Sequence, residues 1–86
     1  MNVEQANAIV GANLRALRAK HDYSRERLSE LSGVPVMTIR RLEGGERAAQ
    51  VPALMSLCAA LGVNARDFMD AVETELKQLA NGQPSQ

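Results

Sequence analysis

Residues 24–43 read Ser24-Arg25-Glu26-Arg27-Leu28-Ser29-Glu30-Leu31-Ser32-Gly33-Val34-Pro35-Val36-Met37-Thr38-Ile39-Arg40-Arg41-Leu42-Glu43. Ser24 suits a helix start, where its hydroxyl takes an otherwise unpaired backbone N–H. Leu28 and Leu31 share one side of the short helix that follows, and Gly33 stands where a left-handed residue closes it. Val34-Pro35 leaves room only for a tight turn, since proline is tolerated in the first turn of a new helix. That second helix turns Ile39 and Leu42 inward. At 3.6 residues per turn, Val36, Met37, Arg40 and Arg41 then fall on its opposite and flanking sides.

The pattern continues outward from this pair. Upstream, Asn2 with Gln5 three positions on has the form of a capping box, and Val10, Leu14 and Leu17 recur at i, i+4, i+7. A first helix therefore runs to about His21, with Gly11 inside it at a cost of roughly 1 kcal/mol relative to alanine. Asp22-Tyr23 has room only for a turn. Downstream, Gly44-Gly45 ends the central pair and Glu46 to Gln50 forms a loop. Pro52 opens a fourth helix with Leu54, Leu57, Cys58 and Leu61 at core spacing, and Gly62 closes it. Asn64 is placed to cap a fifth helix, whose apolar positions Phe68, Val72, Leu76 and Leu79 repeat at i, i+4, i+8, i+11 until Asn81-Gly82. The expected organisation is one domain over 1–81, its last helix at about 64–80, and a disordered tail over 82–86 in which Gln83-Pro84-Ser85-Gln86 has nothing to bury.

Composition narrows the function classes. Eighty-six residues suffice for one small core and exclude a two-lobed enzyme with an interdomain cleft. The chain is 45% apolar with only Tyr23 and Phe68 as aromatics, which favours a helical core of Leu, Val, Ile, Ala and Met over strands. Ten basic and ten acidic residues cancel, so affinity for nucleic acid must come from charge placement. Eight of the ten cations (Arg15, Arg18, Lys20, Arg25, Arg27, Arg40, Arg41, Arg47) lie in residues 1–47 against six acids, whereas residues 48–86 hold two cations against four acids. Cys58 is the single cysteine, so neither an intrachain disulfide nor a multi-cysteine metal site can form, and a reducing cytoplasm is the expected location. The start, Met1-Asn2-Val3-Glu4-Gln5, lacks the basic and hydrophobic regions of a signal peptide, and no apolar run is long enough to span a membrane.

Two short helices joined by a tight, glycine-containing turn are the pattern of a helix-turn-helix, whose second helix enters the DNA major groove. The residues of this stretch sharpen the pattern: Ser24-Arg25-Glu26-Arg27-Leu28-Ser29, then Ser32-Gly33-Val34-Pro35, then Thr38-Ile39-Arg40-Arg41-Leu42-Glu43, then Gly45-Glu46-Arg47. They resemble the Cro-like, phage-repressor type (XRE-like) of helix-turn-helix protein. The likeness extends through Leu54, Leu57, Ala60-Leu61-Gly62-Val63 and Phe68, roughly residues 9 to 70. Arg25 stands where that family usually has Gln, Arg27 where it has Glu, Pro35 where it has a capping Ser or Thr, and Ala49 where a Pro commonly follows the loop Arg.

The resemblance implies an all-α, five-helix, lambda-repressor-like DNA-binding domain, with the helix-turn-helix at its second and third helices, working as a small transcriptional regulator on double-stranded DNA. Val36, Met37, Arg40 and Arg41 become the base-reading residues. Arginine is the usual bidentate partner of guanine O6 and N7, while valine and methionine meet thymine methyls. The plain alternative for Arg40 and Arg41 is a pair of solvated surface cations. By resemblance Arg25, Thr38 and Arg47 grip phosphates on either side of the groove. At the positions of Arg18 and Glu43 the family has a structural ion pair joining the first helix to the end of the recognition helix.

No catalytic, metal or cofactor site is expected. His21 suits the negative end of the first helix, Cys58 suits the core, and Asp67, Asp70, Glu73 and Glu75 suit a mostly solvated helix face. The stripe Phe68, Met69, Val72, Leu76, Leu79 runs beyond what a four-helix core needs and suggests a homodimer, with recognition helices about 34 Å apart on a near-palindromic operator. Repression by occlusion is the expected output. An alternative is an antitoxin-type or other protein-interaction subunit with the same fold, whose partner the residues do not name. A scarcity of aromatic stacking platforms disfavours single-stranded RNA.

Overall fold

Asn2 and Ser24 start the first two helices with side-chain oxygens. Asn2 Oδ1 accepts from the backbone N–H groups of Glu4 and Gln5 at 2.8 and 3.2 Å, and Ser24 Oγ accepts from Arg27 N–H at 2.9 Å. The computed structural model describes residues 2–82. Within them the chain forms five helices and no strand: α1 Val3–Lys20, α2 Arg25–Ser32, α3 Val36–Glu43, α4 Val51–Ala60 and α5 Ala65–Ala80. The tail expected over 82–86 lies, apart from Gly82, outside the described residues.

Three starts lack a side-chain cap, and the last of them departs from expectation. Pro35 and Gln50 precede α3 and α4 without a side-chain cap. Asn64 occupies the cap position of α5 but turns its amide nitrogen toward Asp67 Oδ2, 3.4 Å away, instead of capping with its oxygen. At the other end of α3, Gly45 adopts φ +73°, so that Gly45 N–H reaches Leu42 O and Glu46 N–H reaches Arg41 O. This closure satisfies two terminal carbonyls and turns the chain sharply into the loop. Asp22, φ +59°, closes α1 the same way, a conformation that a short polar side chain tolerates.

Leu14, Leu28, Ile39, Leu42, Leu57, Leu61 and Val72 are almost fully enclosed, joined by Val34, Leu54, Cys58 and Phe68. Each large side chain so buried stabilises the fold by about 1.5–3 kcal/mol. α1 packs on α3 and α5, α4 packs on α2 and α5, and α3 rests chiefly on α1 and α2. Gly11 explains the contact of α1 with α3. A Cβ there would overlap Leu42 O and lie 2.7 Å from Glu43 O. The glycine that is a poor choice for helix propensity is the one residue that lets α1 reach the end of α3.

Two expectations need correction, and two other residues gain a second partner. Leu31 does not share the core with Leu28 but is 42% exposed. Three residues on, it sits about 60° around the helix, while the side facing α4 is held at Ser32, whose carbonyl accepts from Ser56 Oγ at 2.7 Å. Phe68 and Val72, expected at an interface, are 5% and 1% exposed and belong to the chain's own core. His21 stands at the end of α1 as expected, its backbone N–H reaching Leu17 O at 3.2 Å, and its ring is also tied elsewhere: Nε2 lies 2.7 Å from Leu61 O at the end of α4, with the ring stacked on Tyr23. Glu75 is exposed, as expected, and also accepts from Asn13 Nδ2 at 2.9 Å, which fastens α5 to α1.

Candidate nucleic-acid interface

Ile39, Leu42 and Glu43 are the buried residues of α3. At about 100° per residue, the side facing away from them carries Met37, Arg40, Arg41 and, at the end, Gly44, which follow the i, i+3, i+4, i+7 spacing of a single stripe. All four are exposed. Neither Arg40 nor Arg41 makes an ion pair among the described residues, so both guanidinium groups keep their planar donor edges available. Val36 and Thr38 are half-buried on opposite flanks of the stripe.

Beyond the Thr38 flank lies an open groove of about 760 Å³ between the α2–α3 turn and the start of α4. Thr38, Arg47, Gln50, Ser32 and Ser56 supply its polar lining. Arg47 is exposed in the loop after Gly45, and Ala49 packs against the core, which anchors the loop without a proline there. Gln50 was not legible as a lining residue. Its only signal was its place two residues before Pro52, where it leads α4 without capping it.

On the Val36 flank the Glu43 side chain, 1% exposed, receives two arginines. Arg18 meets it as a fork, Nε to Oε2 at 2.6 Å and Nη2 to Oε1 at 3.0 Å, while Arg18 Nη1 donates to Tyr23 O at 3.0 Å. The hydrogen bond to Glu43 holds the Arg18 pKa above the ordinary arginine value, opposed in part by burial. Arg25 Nε donates to Glu43 Oε1 at 3.1 Å. Arg25, expected only as a phosphate contact, is therefore also tied to the ion pair, with its side chain 35% exposed. A lone carboxylate buried this deeply would cost several kcal/mol; two cations at hydrogen-bonding distance offset that cost.

The remaining sequence candidates are dispersed. Among the described residues no three His, Cys, Asp or Glu side chains converge as a metal site requires. Cys58 is enclosed in the core, where burial pushes its thiol pKa up. On α5, Met69 and Leu79 are exposed and Leu76 is half-buried against the core. No helix among the described residues is long and apolar enough to cross a membrane.

The family model described as helix-turn-helix matches residues 14–68. No curated protein matches the chain. Among solved structures, the restriction-modification controller protein C.AhdI from Aeromonas hydrophila is similar, with a TM-score of 0.69 and 29% identity over 72% of this chain and 94% of that one. Two structures of the clp gene regulator ClgR from Corynebacterium glutamicum are also similar. One has a TM-score of 0.78 at 27% identity, covering 91% of this chain and 83% of that one. The other has a TM-score of 0.73 at 29% identity, covering 80% and 88%.

Proposed function

The chain belongs to the helix-turn-helix family and is a DNA-binding transcription regulator, and we propose that it works as a homodimeric repressor that reads a near-palindromic operator with α3. The observation that carries this reading is the exposed stripe Met37, Arg40 and Arg41, held on a helix whose other side is locked to α1 and α2. A guanidinium with both donor edges available matches guanine O6 and N7, and a methionine beside it excludes or greets a thymine methyl. Val36, half-buried, borders the stripe and reads at its edge.

The groove flank supplies Thr38 and Arg47 for one phosphate strand, and Arg25 supplies the other side; such contacts set register and carry no base information. Met69, Leu76 and Leu79 are the apolar residues of α5 that remain for a second copy once Phe68 and Val72 are assigned to the core. A two-fold dimer through them would present two recognition helices to successive major grooves. The chemistry is binding and not catalysis, with no cofactor. A cytoplasmic location fits a duplex-DNA partner and a lone free thiol.

Selection of duplexes from a random DNA pool tests the whole reading. The expected product is a two-fold symmetric motif with half-sites about one helical turn apart. Recovery of no enriched sequence, or of an enriched single half-site only, overturns the sequence-reading dimer.

A further inference from the structure

We infer that Glu43 is a positioning residue for DNA binding: it holds Arg25 by Nε so that the opposite, Nη edge of that guanidinium is aimed outward as a fixed clamp on the flank of the recognition helix. The inference rests on the DNA-binding reading and deepens it.

Three features of the geometry carry it. First, one carboxylate serves two arginines, so the three side chains Arg18, Glu43 and Arg25 together carry one excess positive charge, which only the field of exposed Glu26 at the start of α2 partly balances. Second, that excess is not shared equally. Arg18 spends Nε, Nη1 and Nη2 on Glu43 and Tyr23 O and is largely enclosed. Arg25 spends only Nε, and among the described residues its Nη groups have no hydrogen-bond partner. Third, Arg25 is the first residue of α2, where the helix dipole disfavours a cation unless an anion lies close by. Glu26 in the same turn and Glu43 from inside supply anions, and a backbone phosphate adds one from outside.

The consequence for recognition is geometric. Glu43 is the last residue of α3, so a carboxylate that moves with the recognition helix also sets the plane of the phosphate clamp. Because a guanidinium is planar, fixing Nε fixes the direction of the two Nη groups. The Thr38 and Arg47 groove borders α3 on the other flank, so the reading stripe Met37, Arg40, Arg41 lies between two polar grips. A lysine at position 25 keeps the charge but offers a point donor with no plane to fix, and it cannot hold Glu43 and a phosphate from opposite edges.

The test uses the full chain as wild type, Arg25→Lys and Arg25→Ala, titrated onto a fluorescently labelled duplex of mixed sequence long enough for two half-sites. Affinity is measured across a range of salt, with thermal melting of each protein alongside. The wild type is expected to bind. Arg25→Ala should weaken binding about tenfold and lower the salt slope by about 0.9 per lost phosphate contact. Arg25→Lys should weaken it nearly as much, although charge is retained and Glu43 keeps Arg18. Equal affinity and slope for Arg25→Lys and wild type would overturn the positioning role while leaving DNA binding intact. Failure of the wild type to bind the duplex would overturn both. Should either variant lose its cooperative melt, the 15N resonance of Arg25 Nε in the wild type decides: its Nε–H stays protected on duplex addition if Glu43 retains it, and loss of that protection refutes the clamp.

Discussion

Gly11 lies against the carbonyl oxygen of Leu42 with no room between them for a side-chain carbon. The neighbour is backbone at the end of α3, which cannot swing aside as a flexible side chain can, so the contact fixes how closely α1 and the recognition helix approach. Gly11→Ala should therefore destabilise the fold by about 1–3 kcal/mol, even though alanine is favoured in a helix by about 1 kcal/mol. Urea denaturation reads this as a lower midpoint with an unchanged slope. A raised midpoint would mean that α3 yields freely.

The same contact shows what was legible in the sequence and what was not. Helix starts and stops were carried by local chemistry: Ser24, Gly33 and the apolar spacing of Ile39 with Leu42 act within a few residues of themselves, and the five helices follow from them. The resemblance added the Arg18 and Glu43 pairing, which local chemistry alone does not carry. Roles set by distant partners stayed hidden. Gly11 counted only as a weak helix residue because its reason lies more than thirty positions away. His21 pointed to its own helix end, whereas its ring is held by Leu61 O. The α5 stripe showed that Phe68, Val72 and Leu79 share a side, but periodicity does not say how much of that side the rest of the chain covers.

That division of the stripe separates two kinds of mutant. Phe68→Ala removes an enclosed ring from a core and should cost about 3–5 kcal/mol, lowering the melting temperature of the monomer unit. Leu79→Glu, at a position 51% exposed, should leave intrachain packing untouched and weaken self-association. Sedimentation equilibrium combined with circular dichroism distinguishes them. A Leu79→Glu protein that unfolds, or one that remains as dimeric as the wild type, contradicts the assignment of this residue to the interface.

The shared carboxylate makes the two arginines non-additive. Removing Arg18 leaves Glu43 enclosed but still bonded to Arg25, so Arg18→Met should cost less than the ~3–5 kcal/mol usual when a buried ion loses its only partner. Removing both arginines should cost more than the sum of the separate losses, because only then is the carboxylate stranded. Chemical denaturation of the two single variants and the double variant measures that coupling. Strict additivity would show that Arg25 does not share the charge in solution.

Cys58 reports alkaline stability. Burial raises its pKa in the folded chain, so the unfolded chain loses the thiol proton first as pH climbs. The contribution to stability is complete below the ordinary thiol pKa and is lost as pH rises toward the raised value. Cys58→Ser should flatten this alkaline decline, and in the wild type the thiol should react with an alkylating reagent only as fast as the protein opens. Rapid alkylation of native protein at neutral pH would place Cys58 outside the closed core.

Arg40 and Arg41 should differ from every residue above in leaving the fold alone. Both project from the exposed side of α3 without ion-pair partners among the described residues, so replacing either with alanine should change the melting temperature little. A bidentate contact to guanine discriminates by about 1–3 kcal/mol. Each substitution should therefore relax preference at one operator position and reduce the difference between operator and mixed-sequence affinity by roughly 5- to 150-fold. A phosphate-contacting residue such as Arg47 should instead weaken both duplexes together and shift the salt slope. Position by position, competition against operators carrying single base changes separates the two behaviours. Uniform weakening by Arg41→Ala across all of those sequences would move Arg41 from the base-reading side to the backbone.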